Sequence, residues 1–278
     1  MKRLLSIEFH KLWNNRASRV LILSYFILLS FIALIASIKF TLFGVEFRVA
    51  DQGVFNFPYI WHLNTFIAAS GKMFLAVVIV SMMANEYTYG TLKQNLIDGL
   101  SKEEFIKSKF LMVFAFSAAS TLFIFLLSLI LGYCFSSYDE TSIVFSELEY
   151  IAGFFLKLMA FFSFCLFVGI LIKRSAFALG FIAVWYLVEK VIQLIVGNIT
   201  GEFSTQENWL QFLPLESMSN ILWEPISRAE AYRTIENQVS GKDFMKDYGI
   251  KWYEYIVVSA WALFFMLMSY RILKKRDL

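Results

Sequence analysis

Six long apolar stretches constrain the fold of this chain more than any other feature of its sequence. A bilayer core of about 30 Å requires roughly 20 mostly apolar residues per spanning helix. Stretches of about that length cover residues of about 20–38, 61–84, 110–133, 150–172, 176–196 and 253–272. Only 17% of the chain is charged, against about 25% in soluble domains. The sequence therefore predicts an all-α polytopic membrane protein with one transmembrane domain over residues 1–278.

The charges that flank the spans predict their orientation. Positively charged flanks resist translocation, and Lys and Arg concentrate before the first span, at Lys173 and Arg174, and after the last span. The link between spans three and four instead holds four acids and no base. Because six spans place both termini on one side of the membrane, we expect both termini to be cytoplasmic. A net charge of only +3 argues against nucleic-acid binding.

The first span is expected to remain as an uncleaved anchor. Its apolar stretch is longer than the usual signal-peptide core of about 7–15 residues, and no clear small-x-small cleavage site follows it. The two cysteines, Cys134 and Cys165, fall near or within spans. We interpret them as small apolar fillers, so neither a disulfide nor a metal site is predicted.

Residues 2–16 have the pattern of an amphipathic helix that lies in the headgroup plane. Leu5, Phe9, Leu12 and Trp13 share one helical face, and bases lie roughly opposite. The alternative is a basic flank that orients the first span and happens to be helical.

The segment of about 197–252 between spans five and six is too long for a turn. Its part from 209 to 223 is too apolar for a solvated loop, so we expect it to re-enter the outer leaflet or to cap the bundle. Ser227 and Glu230 form a Ser-x-x-Glu capping box, and Gly241 suits the end of the helix that follows. The sequence thus predicts outer, partly re-entrant helices before the last span.

The segment of about 85–109 between spans two and three holds four bases and four acids. This balance is not that of a simple positive flank. Leu92 and Leu96 recur at helical spacing, and Ser101 with Glu104 forms a second capping box. Two short helices with a kink between them are predicted.

This segment resembles the permease subunits of the type-two ABC exporters. Those subunits carry a Glu-x-x-x-Gly-Thr element after their second span and a Ser-Arg-x-x-x-x-x-x-Lys element before the third. The matching residues here are Glu86, Gly90, Thr91, Ser101, Lys102 and Lys109. Lys102 replaces the usual Arg and cannot make its planar bidentate contact, and Gly99–Leu100 stands where a Pro often precedes the Ser. The layout of the whole chain also resembles that of these permease subunits, including a Leu-Pro pair at Leu213–Pro214 before the last span.

The resemblance implies a permease of the bacterial cytoplasmic (inner) membrane that dimerises, with an identical or a different second subunit, and binds two ATPase subunits. It places the ATPase-coupling contact on Glu86, Gly90, Thr91, Leu92, Leu96, Ser101, Lys102 and Lys109. ATP and Mg would be bound by the partner ATPase, so no cofactor is expected in this chain. In agreement, no Gly-x-x-x-x-Gly-Lys-Ser/Thr loop occurs. Nothing in the sequence specifies the substrate.

Away from the span edges, the predicted spans hold the ionisable residues Lys72, Lys157, Glu189 and Lys190. Such residues are functional candidates because their burial in lipid is costly. In one interpretation the lysines line an outer cavity or lateral gate that attracts an anionic headgroup or an acidic peptide. In the other, Glu189 pairs with Lys72 or Lys157 to hold the bundle together, and Lys190 extends outward.

Two other classes of protein fit the sequence less well. An ion- or proton-coupled transporter or channel would use the intramembrane charges directly, but no repeated pair of broken spans is visible. An intramembrane enzyme would need a catalytic motif. Glu103–Glu104 has no histidine partners in the loop, and neither a Gly-x-Ser-x-Gly nor a His-Glu-x-x-His motif occurs. We therefore predict a chain that is not itself an enzyme.

Overall fold

The computed structural model describes residues 2–42, 45–201, 209–228 and 248–276. Its helices are α1 (Lys2–Asn14), α2 (Arg16–Ser37), α3 (Tyr59–Ser70), α4 (Lys72–Thr88), α5 (Thr91–Ile97), α6 (Lys102–Phe135), α7 (Thr141–Val144), α8 (Glu149–Ile172), α9 (Ser175–Thr200), α10 (Pro214–Asn220) and α11 (Trp252–Lys275). Single 3-10 turns cover Val49–Gln52, Trp209–Phe212 and Ile226–Arg228. A short antiparallel hairpin of β1 (Phe40–Leu42) and β2 (Val45–Phe47) is the one departure from the predicted all-α class among these residues.

Five helical segments are long and apolar enough to cross a membrane, namely α2, α6, α7 with α8, α9 and α11. The predicted span 61–84 is not continuous, because α3 and α4 meet at an angle of 44°. At the break, a Cβ atom on Gly71 would approach the ring of Tyr25 to 3.2 Å. The structure therefore confirms a polytopic helical membrane protein and corrects one predicted span to a bent pair.

The helix α8 is the centre of the bundle. In the most apolar stretch of α7 and α8, 67% of the residues are buried, against 11% in that of α9. The helix α8 packs against α3, α4, α6, α9 and α11. Peripheral α2 and α9 instead expose many large apolar side chains, as lipid-facing helices do. At the end of α8, Lys173 adopts a left-handed conformation, and α9 begins two residues later.

The N-terminal helix α1 is amphipathic, but its sides differ from the prediction. Leu12 is buried and Leu5 packs against the core, whereas Phe9 and Trp13 are exposed and stack with ring centroids 5.8 Å apart. Lys11, predicted to lie opposite the apolar face, extends toward α4. The helix therefore lies against the bundle by part of its predicted apolar face only.

The segment before α11 is closely packed where the structure describes it. Most of α10 is buried, and this helix packs against α8, α9 and α11. The Ser227 hydroxyl donates a 2.9 Å hydrogen bond to Glu224. The predicted partner Glu230 and the helix expected to end at Gly241 lie outside the described residues.

Candidate functional site

The turn between α4 and α5 depends on Gly90. Its φ of +67° lies in the left-handed region, which glycine adopts without the strain that a Cβ atom imposes. No atom within 4 Å would clash with an added Cβ, so backbone conformation alone explains the glycine. The turn reverses the chain and brings the first residue of α5, Thr91, back to the last turn of α4.

Glu86, in that last turn, binds four donors with one buried carboxylate. Its Oε2 accepts hydrogen bonds from Thr91 Oγ1 at 2.6 Å and from Asn95 Nδ2 at 3.3 Å. Its Oε1 accepts from Lys109 Nζ at 2.7 Å and from Lys11 Nζ at 3.0 Å. The side chain is only 4% exposed. One carboxylate on α4 therefore holds α1, α5 and α6 together.

Lys109 completes this arrangement from the side of α6. Its side chain has no exposed surface, and its Nζ lies 2.7 Å from both Glu86 Oε1 and Glu8 Oε2. The amine also lies 4.8 Å from the centre of the Phe105 ring. Buried charges are tolerated only when they are paired and hydrogen bonded. We call Glu8, Lys11, Glu86 and Lys109 the junction cluster; its two acids and two bases give it no formal net charge.

Sequence reasoning grouped Glu86, Thr91 and Lys109, and the structure brings these three together. It missed Glu8 and Asn95. Glu8 is the only acid in the basic segment before the first span. This isolated acid is the one feature of the sequence that indicates a buried partner for a base. Glu86 and Lys109 are buried, so their side chains hold α5 in place and are not themselves part of the exposed surface.

The short helix α5 has one face toward the bundle and one toward solvent. Leu92, predicted to contact an ATPase, is 2% exposed and belongs to the apolar core; Leu96 is half-buried. Exposed residues lie on the other side, with Ile97 84% exposed and Tyr89, just before α5, 73% exposed. We call Tyr89, Lys93 and Ile97 the free face of α5. Leu92 therefore packs within the bundle, and the exposed side chains at this turn are those of the free face.

The second motif element begins α6. The predicted capping box is confirmed, because Ser101 Oγ accepts from the Glu104 amide at 3.1 Å and Glu104 Oε2 accepts from the Ser101 amide at 3.0 Å. Lys102, predicted to contact an ATPase, donates to the carbonyl oxygens of Arg276 at 2.6 Å and Lys274 at 3.4 Å. Its amine is therefore bound to the end of α11.

A groove of about 540 Å³ runs between α1, the end of α5 and the start of α6. Arg3, Asp98 and Glu104 supply charges of both signs to its lining, and Leu4 and Ile7 supply apolar surface. The groove and the free face of α5 lie at the same end of the bundle. This end thus presents two adjoining surfaces that a partner protein of mixed charge can contact.

The intramembrane Glu189 binds α10 and not the lysines predicted as its partners. Its carboxylate accepts from the amides of Leu215 at 3.1 Å and Glu216 at 2.9 Å, and from Trp185 Nε1 at 2.7 Å. A carboxylate at the first amides of a helix satisfies donors that have no partner within the helix. Glu189 therefore fastens α10 to α9.

The three lysines also have partners within the bundle. Lys190 Nζ lies 2.9 Å from Glu216 Oε2 and 2.9 Å from Gln193 Oε1. Lys157 donates to the carbonyl oxygen of Ser219 at 3.2 Å. Lys72 Nζ lies 4.5 Å from the centre of the Phe161 ring. The contacts of Lys157 and Lys190 connect α8 and α9 to α10, and that of Lys72 connects α4 to α8.

Within the described ranges 2–42, 45–201, 209–228 and 248–276, no group of three or more His, Cys, Asp and Glu side chains is placed to hold a metal ion.

A family model described as "ABC-2 family transporter protein" matches residues 14–278. A search of the curated proteins found no match. The matched region contains the whole bundle from α2 onward and the junction cluster except for Glu8 and Lys11.

Proposed function

The chain belongs to the ABC-2 transporter family, and on this premise we propose that it is the permease subunit of an ATP-driven exporter of the bacterial cytoplasmic membrane. A separate ATPase subunit binds ATP and Mg and hydrolyses the nucleotide. Two permease subunits, identical or different, form the path between them. This chain supplies the spans and the surface that the ATPase moves.

The observation that carries the proposal is the buried carboxylate of Glu86 behind the exposed side of α5. Tyr89, just before α5, and Ile97, at its end, are exposed at the end of a membrane bundle, and aromatic and large apolar side chains supply much of the affinity of protein contacts. Behind that helix, Glu86 holds α5 by Thr91 and Asn95. A partner that displaces α5 therefore acts on α4 directly.

The junction cluster passes such a displacement to two further helices. Lys109 fixes α6 to Glu86, and Lys11 and Glu8 fix α1 to the same site. Removal of one partner from a buried ion pair costs about 3–5 kcal/mol, so these helices separate from α4 only at a large cost. We infer that α1, α4, α5 and α6 move as one unit at this end.

Contacts of both chain termini support the proposed orientation. Lys11 of α1 contacts Glu86, and Arg276, just after α11, contacts the neighbouring Tyr87. Termini at one end of the bundle require an even number of crossings, which supports six spans with the bent α3–α4 pair as one. The Lys- and Arg-rich flanks of α2 and α11 favour the cytoplasm for this end.

Replacement of one residue on the free face of α5 tests the proposal. We expect Ile97→Glu to weaken capture of an ATPase subunit with a phosphate-binding loop, co-expressed from a neighbouring gene, by about tenfold or more, as for a contact hot spot. Ile199→Glu is the matched control, because Ile199 is 79% exposed near the far end of α9. Equal capture by the two variants would contradict the placement of the contact.

The alternative function is an ion- or proton-coupled transporter that uses the intramembrane charges. It predicts transport that follows an ion gradient and needs no ATPase subunit. In the structure, Glu189 and Lys190 form hydrogen bonds to α10. Because these charged groups already have partners within the protein, the structure favours the exporter. Gradient-driven transport by the isolated chain in vesicles would support the alternative and refute the exporter.

A further inference from the structure

The end of α4 has two adjacent polar residues that contact different parts of the bundle. Glu86 contacts α1, α5 and α6 through the hydrogen bonds given above. Tyr87 accepts a 3.1 Å hydrogen bond at its hydroxyl from Nη1 of Arg276, which follows α11. One helix end thus connects to the proposed docking segment and to the last membrane helix.

Arg276 also binds the end of α8. Its Nη1 lies 2.6 Å from the carbonyl oxygen of Ile170, and its Nη2 lies 3.3 Å from that of Leu171. These carbonyls belong to the last turn of α8, where backbone acceptors have no partner within the helix and a cation is favoured. The planar guanidinium can bind both carbonyls and the phenol at once because its donors are fixed in a fork.

The start of α6 closes the same arrangement. Lys102 Nζ donates to the carbonyl oxygen of Arg276 at 2.6 Å, so the backbone that carries the guanidinium is itself held. We call Tyr87, Lys102 and Arg276 the C-terminal clasp. It joins the ends of α4, α6, α8 and α11 at the end of the bundle that carries α5.

We propose that the C-terminal clasp transmits the displacement of α5 to α8 and α11, with Arg276 as the positioning residue; the inference rests on the proposed function. The hydrogen bonds and ion pairs of the junction cluster lie among α1, α4, α5 and α6. The helix α4 also packs against α8, but apolar contact is non-directional and permits sliding. Hydrogen bonds of fixed geometry at the helix ends prevent that sliding, so α8 and α11 follow α4.

Two variants remove individual contacts of the clasp. Tyr87→Phe deletes one hydroxyl and keeps the ring, and Arg276→Gln deletes the charge. The controls are Tyr186→Phe, the same change at an exposed tyrosine of α9, and Lys275→Gln, a loss of charge at the exposed neighbour of Arg276. Arg276→Lys keeps the charge without the fork and serves as a partial rescue.

Spin-label distances in the permease–ATPase complex in lipid report the two halves separately, with Cys134 replaced by Ser. Both pairs share a reference label at Ile199, near the far end of α9, a helix outside the junction cluster and the clasp. The first pair, Gln94 and Ile199, reports the displacement of α5, and the second pair, Trp252 and Ile199, reports the displacement of α11. Each distance distribution is measured without nucleotide and after trapping with ATP and vanadate.

In the wild-type chain we expect both label pairs to shift on trapping. In Tyr87→Phe, the first pair shifts as before, and the population of the shifted state at the second pair falls about fivefold, the equivalent of about 1 kcal/mol for one hydrogen bond. Arg276→Gln lowers it further, Arg276→Lys lies between, and the two controls match wild type. If the clasp only stabilised the fold, its loss would not reduce the shift of the second pair while it left the shift of the first pair unchanged.

The outcomes separate the inference from the function on which it rests. If the wild-type chain binds no ATPase subunit, the proposed function fails and the inference fails with it. If the wild-type complex responds at both pairs and the Tyr87 and Arg276 variants respond equally, the proposed function stands and the clasp is refuted. Loss of both shifts in Tyr87→Phe, with a correctly folded chain, would also refute it.

Discussion

The ammonium of Lys109, with no exposed side-chain surface, lies 2.7 Å from the carboxylate of Glu86 across the contact between α6 and α4. The two residues are 23 positions apart. Glu86 is the first residue of the first motif between spans two and three, and Lys109 is the last residue of the second motif. Their pairing joins the two motifs in space. Each contributes one half of a buried ion pair that holds the exposed helix α5 against the bundle.

Lys109→Met is predicted to destabilise the protein strongly. The change leaves the carboxylates of Glu86 and Glu8 buried near a single remaining base, and removal of one partner from a buried pair costs about 3–5 kcal/mol. Thermal unfolding in detergent measures the effect. Lys107→Met is the control, because the Lys107 side chain is 59% exposed and exposed pairs contribute about 0–1 kcal/mol. Similar losses in the two variants would show that the cluster does not act as a buried ion pair.

Gly90→Ala and Gly180→Ala are predicted to have opposite effects. Neither position has an atom within 4 Å of an added Cβ. At Gly90 the left-handed backbone disfavours alanine by about 1–2 kcal/mol, whereas within α9 alanine is favoured over glycine by about 1 kcal/mol. Unfolding measurements on both variants test this. A neutral Gly90→Ala would mean that the turn does not need a positive φ.

Glu189→Leu is predicted to release α10 from α9. The change removes three hydrogen bonds, two of them from the amides of Leu215 and Glu216, and a hydrogen bond to a charged group contributes about 1.5–3 kcal/mol. Hydrogen exchange of residues 214–220 should accelerate by about tenfold or more, the equivalent of about 1.4 kcal/mol. The exposed Glu149 provides the control Glu149→Leu. Unchanged protection in the Glu189 variant would show that the carboxylate does not anchor the helix.

Local patterns predicted much of the fold and part of the site. Apolar length located the spans, and the Ser101 capping box appeared where its spacing placed it, because both depend on neighbours in sequence. The break at Gly71 was missed because the apolar stretch continues through it. The close approach of the Tyr25 ring to Gly71 involves another helix, and a run of apolar residues does not show which helix will approach it.

The interior of the site was only partly predictable. Helical spacing placed Leu92 on an apolar face, but periodicity does not tell whether that face packs on the chain itself or on a partner. The ion pair of Glu8 with Lys109 spans 101 positions, and the bond from Lys102 to Arg276 spans 174. Such contacts depend on the assembled bundle. The lone acid Glu8 in a basic segment marks one participant, but no local pattern identifies its partner.

Photo-cross-linking from Ile97 tests the central claim most directly. A photoreactive side chain at Ile97 or, as the control, at Ile199 is introduced into the chain, and the permease–ATPase complex is irradiated in the membrane. We predict that the Ile97 probe cross-links to the ATPase subunit and that the Ile199 probe does not. A complex that hydrolyses ATP and transports, yet shows no cross-link from Ile97, would contradict the assignment of α5 as the docking helix.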